Sequence, residues 1–177
     1  NYGFPIFPAS AGGKIYGEDR IVSLLNEKKF DLIFILNDVW VEHTYLQIIK
    51  EKVDPDNIPP IVCYFPVDSE MHLPEWYKNF DIVTKPITYT EFARGVVNHP
   101  SCAPDLHVDI IPHGNDSSVF YRKYTNRRDA KIELLKNKEA GDWFIFLNAG
   151  RNQPRKRLDI TMEAFALFAK DKPDARL

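Results

Sequence analysis

The sequence predicts an α/β fold built around a parallel sheet. Short apolar runs at residues 30–36, 61–65, 80–83 and 108–111 alternate with segments of helical periodicity. Strands that alternate with helices favour parallel pairing through right-handed crossovers. Polar residues also follow each predicted strand, and ligands bind at that edge of an open α/β sheet.

Four helices are predicted before, between and after these strands. Residues 19–28 place Ile21, Leu24 and Leu25 on one face, and a second helix is expected over residues 39–50. The series Thr88-Tyr-Thr-Glu91 has the spacing of a capping box and predicts a helix that runs to Val97. A charged helix is predicted over residues 129–138.

A further strand–turn–helix unit lies near the end of the sequence. Residues 143–147 form a continuous apolar run, typical of a strand covered on both faces, and Gly150 is expected to permit a sharp turn after it. Apolar residues then recur at helical spacing up to about residue 170: Leu158, Met162, Phe165 and Phe168. We expect this strand to lie outside the sheet formed by the earlier ones.

Four cations lie between that strand and its helix: Arg151, Arg155, Lys156 and Arg157. They are predicted to lie at the carboxyl end of a strand and near a helix N-terminus. Such an N-terminus already favours anions, and cations added there indicate a phosphate ligand.

Composition excludes several classes of protein. The 177 residues are 44% hydrophobic and carry a formal net charge of −2, typical of a globular domain with no global field for nucleic acid or membranes. No apolar run approaches the roughly 20 residues that span a bilayer. Two cysteines, Cys63 and Cys102, suit a reducing compartment, so a cytoplasmic protein is expected. His99 and Cys102 have no second ligand pair nearby, so no metal is expected.

Two motifs carry a resemblance to a known family. Gly150-Arg151, Lys156 five places later, Leu158-Asp159 and Glu163-Ala-Phe165 resemble the donor-diphosphate loop of GT-B glycosyltransferases of the family 4 type. Upstream, Val108-Asp-Ile-Ile-Pro-His-Gly-Asn-Asp116 and Phe120 resemble the segment through which that family enters its second Rossmann-like domain.

The resemblance implies Rossmann-like parallel sheets in two domains, incomplete at both ends of this chain. Residues 1–112 would belong to the acceptor-side domain, 113–142 to an interdomain segment, and 143–177 to the start of the nucleotide-sugar domain. It implies a retaining, metal-independent hexosyltransferase whose substrate is a UDP- or GDP-sugar and which needs no cofactor. The acceptor would be a glycan, lipid or protein, with peripheral membrane association and with the rest of the enzyme, or a partner chain, completing the fold. This chain by itself is expected to be inactive.

The same resemblance implies roles for individual residues. Arg151 and Lys156, with Gly150, would bind the diphosphate, and His113 and Gly114 would contact the phosphate or the acceptor. For His113 the alternative is a turn histidine bonded to backbone, and for Gly114 a purely conformational role. Asp68 is the candidate catalytic base or acceptor ligand, and its alternative is a helix N-cap.

Other readings of the sequence stay open. A nucleotide-sugar epimerase or a phosphorylase-like enzyme uses the same scaffold, and a truncated binding module has no turnover. Asp54-Pro-Asp56 matches the pattern of metal-dependent transferases, but it lies in a proline-rich turn and is interpreted as turn chemistry. Trp40, Trp76 and Tyr77 are either sugar-stacking or core residues, and Asn37 and Asp38 are either acceptor ligands or turn residues.

Overall fold

The structure, a computed structural model, describes residues 3–9 and 13–177. The chain divides into two compact units, Asn1–Gly114 and Asn115–Leu177. Each unit has its own sheet. Among the described residues, no helix is both long enough and apolar enough to cross a membrane.

The first unit contains a four-stranded sheet in the order β1-β2-β3-β4, and every neighbouring pair is parallel. Its strands are β1 (Ile33–Leu36), β2 (Ile61–Phe65), β3 (Lys85–Thr88) and β4 (Asp109–Ile110). The predicted parallel α/β architecture is therefore confirmed.

Within the described residues, three α-helices accompany this sheet: α1 (Glu18–Glu27), α2 (Val39–Lys52) and α3 (Glu91–Val97). The largest fully buried apolar side chains come from α2 and β2, namely Leu46, Ile49, Ile61 and Phe65. Burial of each such side chain contributes about 1.5–3 kcal/mol, so the contact between α2 and the sheet holds the unit together.

The opposite face of the sheet is more open. Side chains alternate along a strand, so Phe34 and Leu36 lie on the face opposite to buried Ile35. Phe34 is 56% exposed and Leu36 is 58% exposed. Tyr64 pairs in register with Leu36 and shares this face.

The third strand lies further along the chain than the sequence indicated. Residues 80–83 were expected to form it, but Phe80–Ile82 is a 3-10 helix whose Phe80 packs edge-on against Phe65 at 5.6 Å. The strand is Lys85–Thr88 instead. Lys85 therefore begins β3, which places it at the edge of the sheet away from the strands' carboxyl ends.

The cap of α3 also differs from the capping-box prediction. Thr90 is the N-cap, and its hydroxyl accepts the Ala93 N–H at 3.1 Å. Thr88 is buried at the end of β3 and donates its hydroxyl to the Phe65 carbonyl at 3.0 Å. The two threonines therefore have different roles: Thr88 belongs to β3, and Thr90 caps α3.

The second unit contains α4 (Arg127–Leu135), β5 (Phe144–Ile145), α5 (Leu158–Ala169) and β6 (Ala175–Arg176). Strands β5 and β6 pair in parallel and form a separate sheet, as expected for the strand near residue 143. Phe146 packs against Phe165 and Phe168, yet Phe168 is still 44% exposed. The apolar face of α5 is therefore only partly covered within this chain.

Candidate functional site

Polar segments of the first unit meet at one edge of the sheet. Asn37 and Asp38 follow β1, residues 66–69 follow β2, and residues 111–114 follow β4. Because the strands are parallel, their carboxyl ends share that edge, which is where ligands bind in open α/β sheets.

A cleft of about 200 Å³ opens beside the ends of β1 and β2. Its lining consists of Asp38, Val39, Trp40, Pro66, Asp68, Ser69, His72 and Trp76. Two carboxylates, an imidazole and two indoles thus share one cavity. Carboxylates accept hydrogen bonds from hydroxyl groups, and indoles present flat apolar surface. This combination suits a ligand with several hydroxyl groups on a ring.

Asp68 lies on the wall of this cleft and is exposed. It makes no hydrogen bond or ion pair with any described residue. No helix begins beside it, since the next helical turn is Pro74–Tyr77 and Leu73 is its N-cap. The helix-cap interpretation of Asp68 is therefore wrong, and its contact with a ligand stays a prediction.

Asp38 lies on the other wall, at the N-cap of α2. Its carboxylate makes no capping hydrogen bond, while its backbone N–H donates to the side-chain oxygen of Asn37 at 2.9 Å. Asn37 is therefore a turn residue. The Asp38 carboxylate can accept hydrogen bonds from solvent or a ligand.

His72 also lines the cleft and is buried. Its Nδ1 lies 2.8 Å from the Tyr77 hydroxyl, and its ring meets Trp76 edge-on. Burial lowers the pKa of His72, and the negative charge of Asp68 only partly opposes this. The imidazole is therefore neutral at neutral pH.

A buried acid lies in the first turn of α2. Glu42 is fully buried, and neither of its carboxylate oxygens has a hydrogen-bond partner of good geometry within the described residues. Burial raises the pKa of Glu42 to about 8, although the Cys63 thiol and the backbone of Asn37 and Tyr64 act against this rise. Glu42 is therefore mostly protonated at neutral pH.

His113 belongs to an aromatic cluster after β4. Its ring centroid lies 3.9 Å from that of Tyr89, and its Nδ1 lies 3.3 Å from the Tyr64 hydroxyl. Tyr64 also donates to the Ile111 carbonyl at 2.8 Å. The alternative of a turn histidine bonded to backbone is wrong, because the partner of His113 is a side chain from β2.

The two candidate glycines do not have the backbone role expected of them. Neither Gly114 nor Gly150 has a positive φ, and a Cβ added at either would meet nothing within 4 Å. The turn after β5 therefore does not require glycine at position 150. The open space leaves room for a ligand to approach the backbone.

The basic loop of the second unit, residues 146–157, joins β5 to α5. It ends in a 3-10 turn, Pro154–Lys156, directly before α5. Arg151, Arg155 and Lys156 are exposed and make no ion pair within the described part of the chain. Asn148 fixes the loop to α5 by donating to the Thr161 hydroxyl at 3.1 Å.

Arg157 differs from the other three cations. It has a left-handed backbone conformation with φ of 45° and is the N-cap residue of α5. Its guanidinium pairs with Asp159, which lowers the pKa of that carboxyl. The charge of Arg157 is thus already balanced by a neighbour.

Sequence reasoning missed Glu42, Tyr64 and Tyr89. Glu42 had a readable signal, because it falls at helical spacing among Val39, Leu46 and Ile49, which are buried residues of α2. Tyr64 and Tyr89 had none, since their meeting with His113 depends on the register of three strands.

Two other residues considered from the sequence, Asp54 and His99, have structural roles. Asp54 accepts the Asp56 N–H at 3.0 Å and caps the turn Pro55–Asn57, so the interpretation as turn chemistry is confirmed. His99 Nδ1 contacts the Ser101 hydroxyl at 2.7 Å. Across residues 3–9 and 13–177, no three His, Cys, Asp or Glu side chains gather as metal ligands would.

Comparison with known proteins adds no assignment. No protein-family model matches the chain, and no curated protein sequence matches it.

Proposed function

We propose that this chain is the central part of a GT-B-type glycosyltransferase. It moves a sugar from a nucleotide-diphosphate sugar to an acceptor hydroxyl and retains the anomeric configuration. The donor is a UDP- or GDP-sugar, and the acceptor is a glycan, lipid or protein. The enzyme is cytoplasmic, with peripheral contact to membranes, and further strands of the same enzyme complete its two Rossmann-like domains.

The observation that carries the proposal is the basic loop. Arg151, Arg155 and Lys156 are unpaired among the described residues and precede α5, a helix of 12 residues. The N-terminus of such a helix carries a partial positive charge, part of which the Asp159 carboxylate in the first turn already meets. A diphosphate has the charge and the acceptor oxygens to match both features.

The chemistry that this loop supplies is stabilisation of the leaving group. Negative charge develops on the diphosphate as its bond to the sugar breaks. Cations and a helix N-terminus at that position lower the energy of the developing charge. Arg151 and Lys156 are assigned this role because the resemblance includes both positions.

The cleft beside β1 and β2 is assigned to the acceptor. Asp38 and Asp68 would accept hydrogen bonds from acceptor hydroxyls, and Trp40 and Trp76 would contact the apolar face of a sugar ring. Asp68 would also take the proton of the attacking hydroxyl, because its carboxylate has no other partner among the described residues.

Calorimetric titration tests the proposal directly. UDP and GDP are titrated into the protein, with UMP and inorganic phosphate as controls. We expect saturable binding of at least one diphosphate at one site, with weaker binding of UMP, which lacks the second phosphate. Binding of neither diphosphate above the level of inorganic phosphate would overturn the assignment.

A further inference from the structure

The Tyr64 hydroxyl contacts two groups of the segment after β4. It lies 2.8 Å from the carbonyl oxygen of Ile111 and 3.3 Å from Nδ1 of His113. A phenol has one proton to donate and lone pairs with which to accept. The carbonyl oxygen can only accept, so the Tyr64 hydroxyl donates its proton to the Ile111 carbonyl.

The contact with His113 must therefore run in the other direction. With the Tyr64 proton committed, its oxygen is an acceptor, and a favourable contact requires a proton on Nδ1 of His113. In a neutral imidazole one nitrogen donates and the other accepts. A proton on Nδ1 leaves Nε2 as an acceptor, and no described residue forms a hydrogen bond with Nε2.

The surroundings hold the ring in place. Tyr89 lies against the imidazole with centroids 3.9 Å apart, and Tyr64 meets it edge-on at 5.5 Å. His113 itself is exposed and lies past the end of β4, at the ligand-binding edge of the sheet. An oriented acceptor at that edge is suited to a hydroxyl group of a ligand.

We propose that Tyr64 is a positioning residue that holds His113 in the Nδ1–H tautomer, so that Nε2 accepts a hydrogen bond from a hydroxyl group of the sugar substrate. The tautomer follows from the contacts of Tyr64, and the identity of the hydroxyl rests on the proposed transferase function. Tyr89 contributes ring packing only, since its ring lies tilted against the imidazole and its hydroxyl forms no hydrogen bond with it.

The first test measures the tautomer without any ligand. Long-range proton–nitrogen spectra of the labelled protein are recorded at about pH 8.5, above the ordinary titration range of histidine. The His113 signals are assigned by their loss in His113→Gln. We expect the Nδ1–H form in the wild type and a lower population of it in Tyr64→Phe, which removes the acceptor.

Tyr89→Phe is the matched control, because it keeps the ring against His113 and removes only a hydroxyl. Its spectrum should show the wild-type tautomer. An Nε2–H form in the wild type, or an unchanged tautomer in Tyr64→Phe, would overturn the inference. Either result would leave nucleotide binding by the basic loop untouched, so the two proposals fail separately.

The second test is a double-mutant cycle on sugar transfer by the intact enzyme. Tyr64→Phe and His113→Ala should each lower kcat, and the double variant should be no slower than His113→Ala alone, because Tyr64 acts through the imidazole. Independent, multiplicative losses would show that Tyr64 does not act through His113. An unchanged kcat in His113→Ala would rule out the proposed hydrogen bond between Nε2 of His113 and a sugar hydroxyl.

Discussion

The guanidinium of Arg157 lies 2.9 Å from the carboxylate of Asp159, two residues further along the chain. Arg151 and Lys156, on the same basic loop, have no such partner within the described residues. This difference separates cations that are free for a ligand from one that is already neutralised.

The first prediction concerns these cations. A charge-assisted hydrogen bond contributes about 1.5–3 kcal/mol, which is roughly a tenfold to hundredfold change in affinity. Arg151→Ala and Lys156→Ala should each weaken binding of UDP or GDP by that factor. Arg157→Ala is the matched control and should change affinity little. Calorimetric titration of the three variants measures this, and equal affinities would identify the loop as a solvated surface.

The strands show how far the sequence could predict the fold. Residues 61–65 were placed at their observed bounds, because a strand buried on one face and half-buried on the other leaves a continuous apolar run. The strand Lys85–Thr88 contains a lysine and a proline and leaves no such run. The apolar residues 80–83 just before it lie in and after a 3-10 helix, and Phe80 packs in the core. In the sequence, such a short apolar run resembles a buried strand.

The candidate site was predictable where it rests on local sequence. Asp38 and Asp68 lie two and three residues past the ends of β1 and β2, so their position at one edge follows from parallel topology. The contact between Tyr64 and His113 joins residues 49 positions apart and depends on strand register. No local pattern encodes that register, so this part of the site required the structure.

The second prediction concerns pH and Glu42. Its pKa is about 8 in the folded state against an ordinary value of 4.5. Between these values the unfolded chain is ionised and the folded chain is protonated, so folding takes up a proton. The associated stability is fully present below about pH 4.5 and is lost as pH rises towards 8. The loss is on the order of a few kcal/mol, since one pKa unit corresponds to about 1.4 kcal/mol.

Urea unfolding at about pH 5 and about pH 8 measures this loss. Glu42→Gln should remove most of the pH dependence and should be more stable than the wild type at the higher pH, since it buries no ionisable group. Glu51 is exposed on the same helix, so the control variant Glu51→Gln should show the pH dependence of the wild type. A Glu42→Gln variant that keeps the full pH dependence would contradict the assignment.

The third prediction links Asp68 to His72. The negative charge of Asp68 raises the pKa of His72, against the larger lowering by burial. Asp68→Asn should therefore lower the pKa of His72 further, which a proton NMR titration measures. Asp38→Asn, on the other wall of the same cleft, is the control and should leave that pKa nearly unchanged. An equal shift in both variants would show that Asp68 has no specific interaction with the imidazole.

The fourth prediction concerns the catalytic role of Asp68. If its carboxylate takes the proton of the acceptor hydroxyl, Asp68→Asn in the intact enzyme should lower kcat by roughly a hundredfold or more. Affinity for UDP or GDP should change little, because the diphosphate is bound by the basic loop. Rates of sugar transfer together with calorimetric affinities separate the two effects. Unchanged turnover would exclude Asp68 from the catalytic residues.

The fifth prediction contrasts three glycines. Gly17 has φ of 73°, and an added Cβ would lie 3.0 Å from both Cα and Cβ of Ala9. Gly17→Ala should therefore lower the free energy of unfolding by about 1–2 kcal/mol or more, because a side chain is strained in that conformation. Gly114 and Gly150 have neither feature.

Gly114→Ala and Gly150→Ala should accordingly leave stability unchanged or raise it slightly, because alanine restricts the unfolded chain more than glycine does. Urea unfolding of the three variants tests this order. If the diphosphate approaches the backbone of the basic loop closely, Gly150→Ala should still weaken binding of UDP or GDP, since its methyl group would occupy that space. A destabilised Gly150→Ala would instead mean that the turn after β5 requires glycine, and a stable variant with full affinity would place the diphosphate away from this residue.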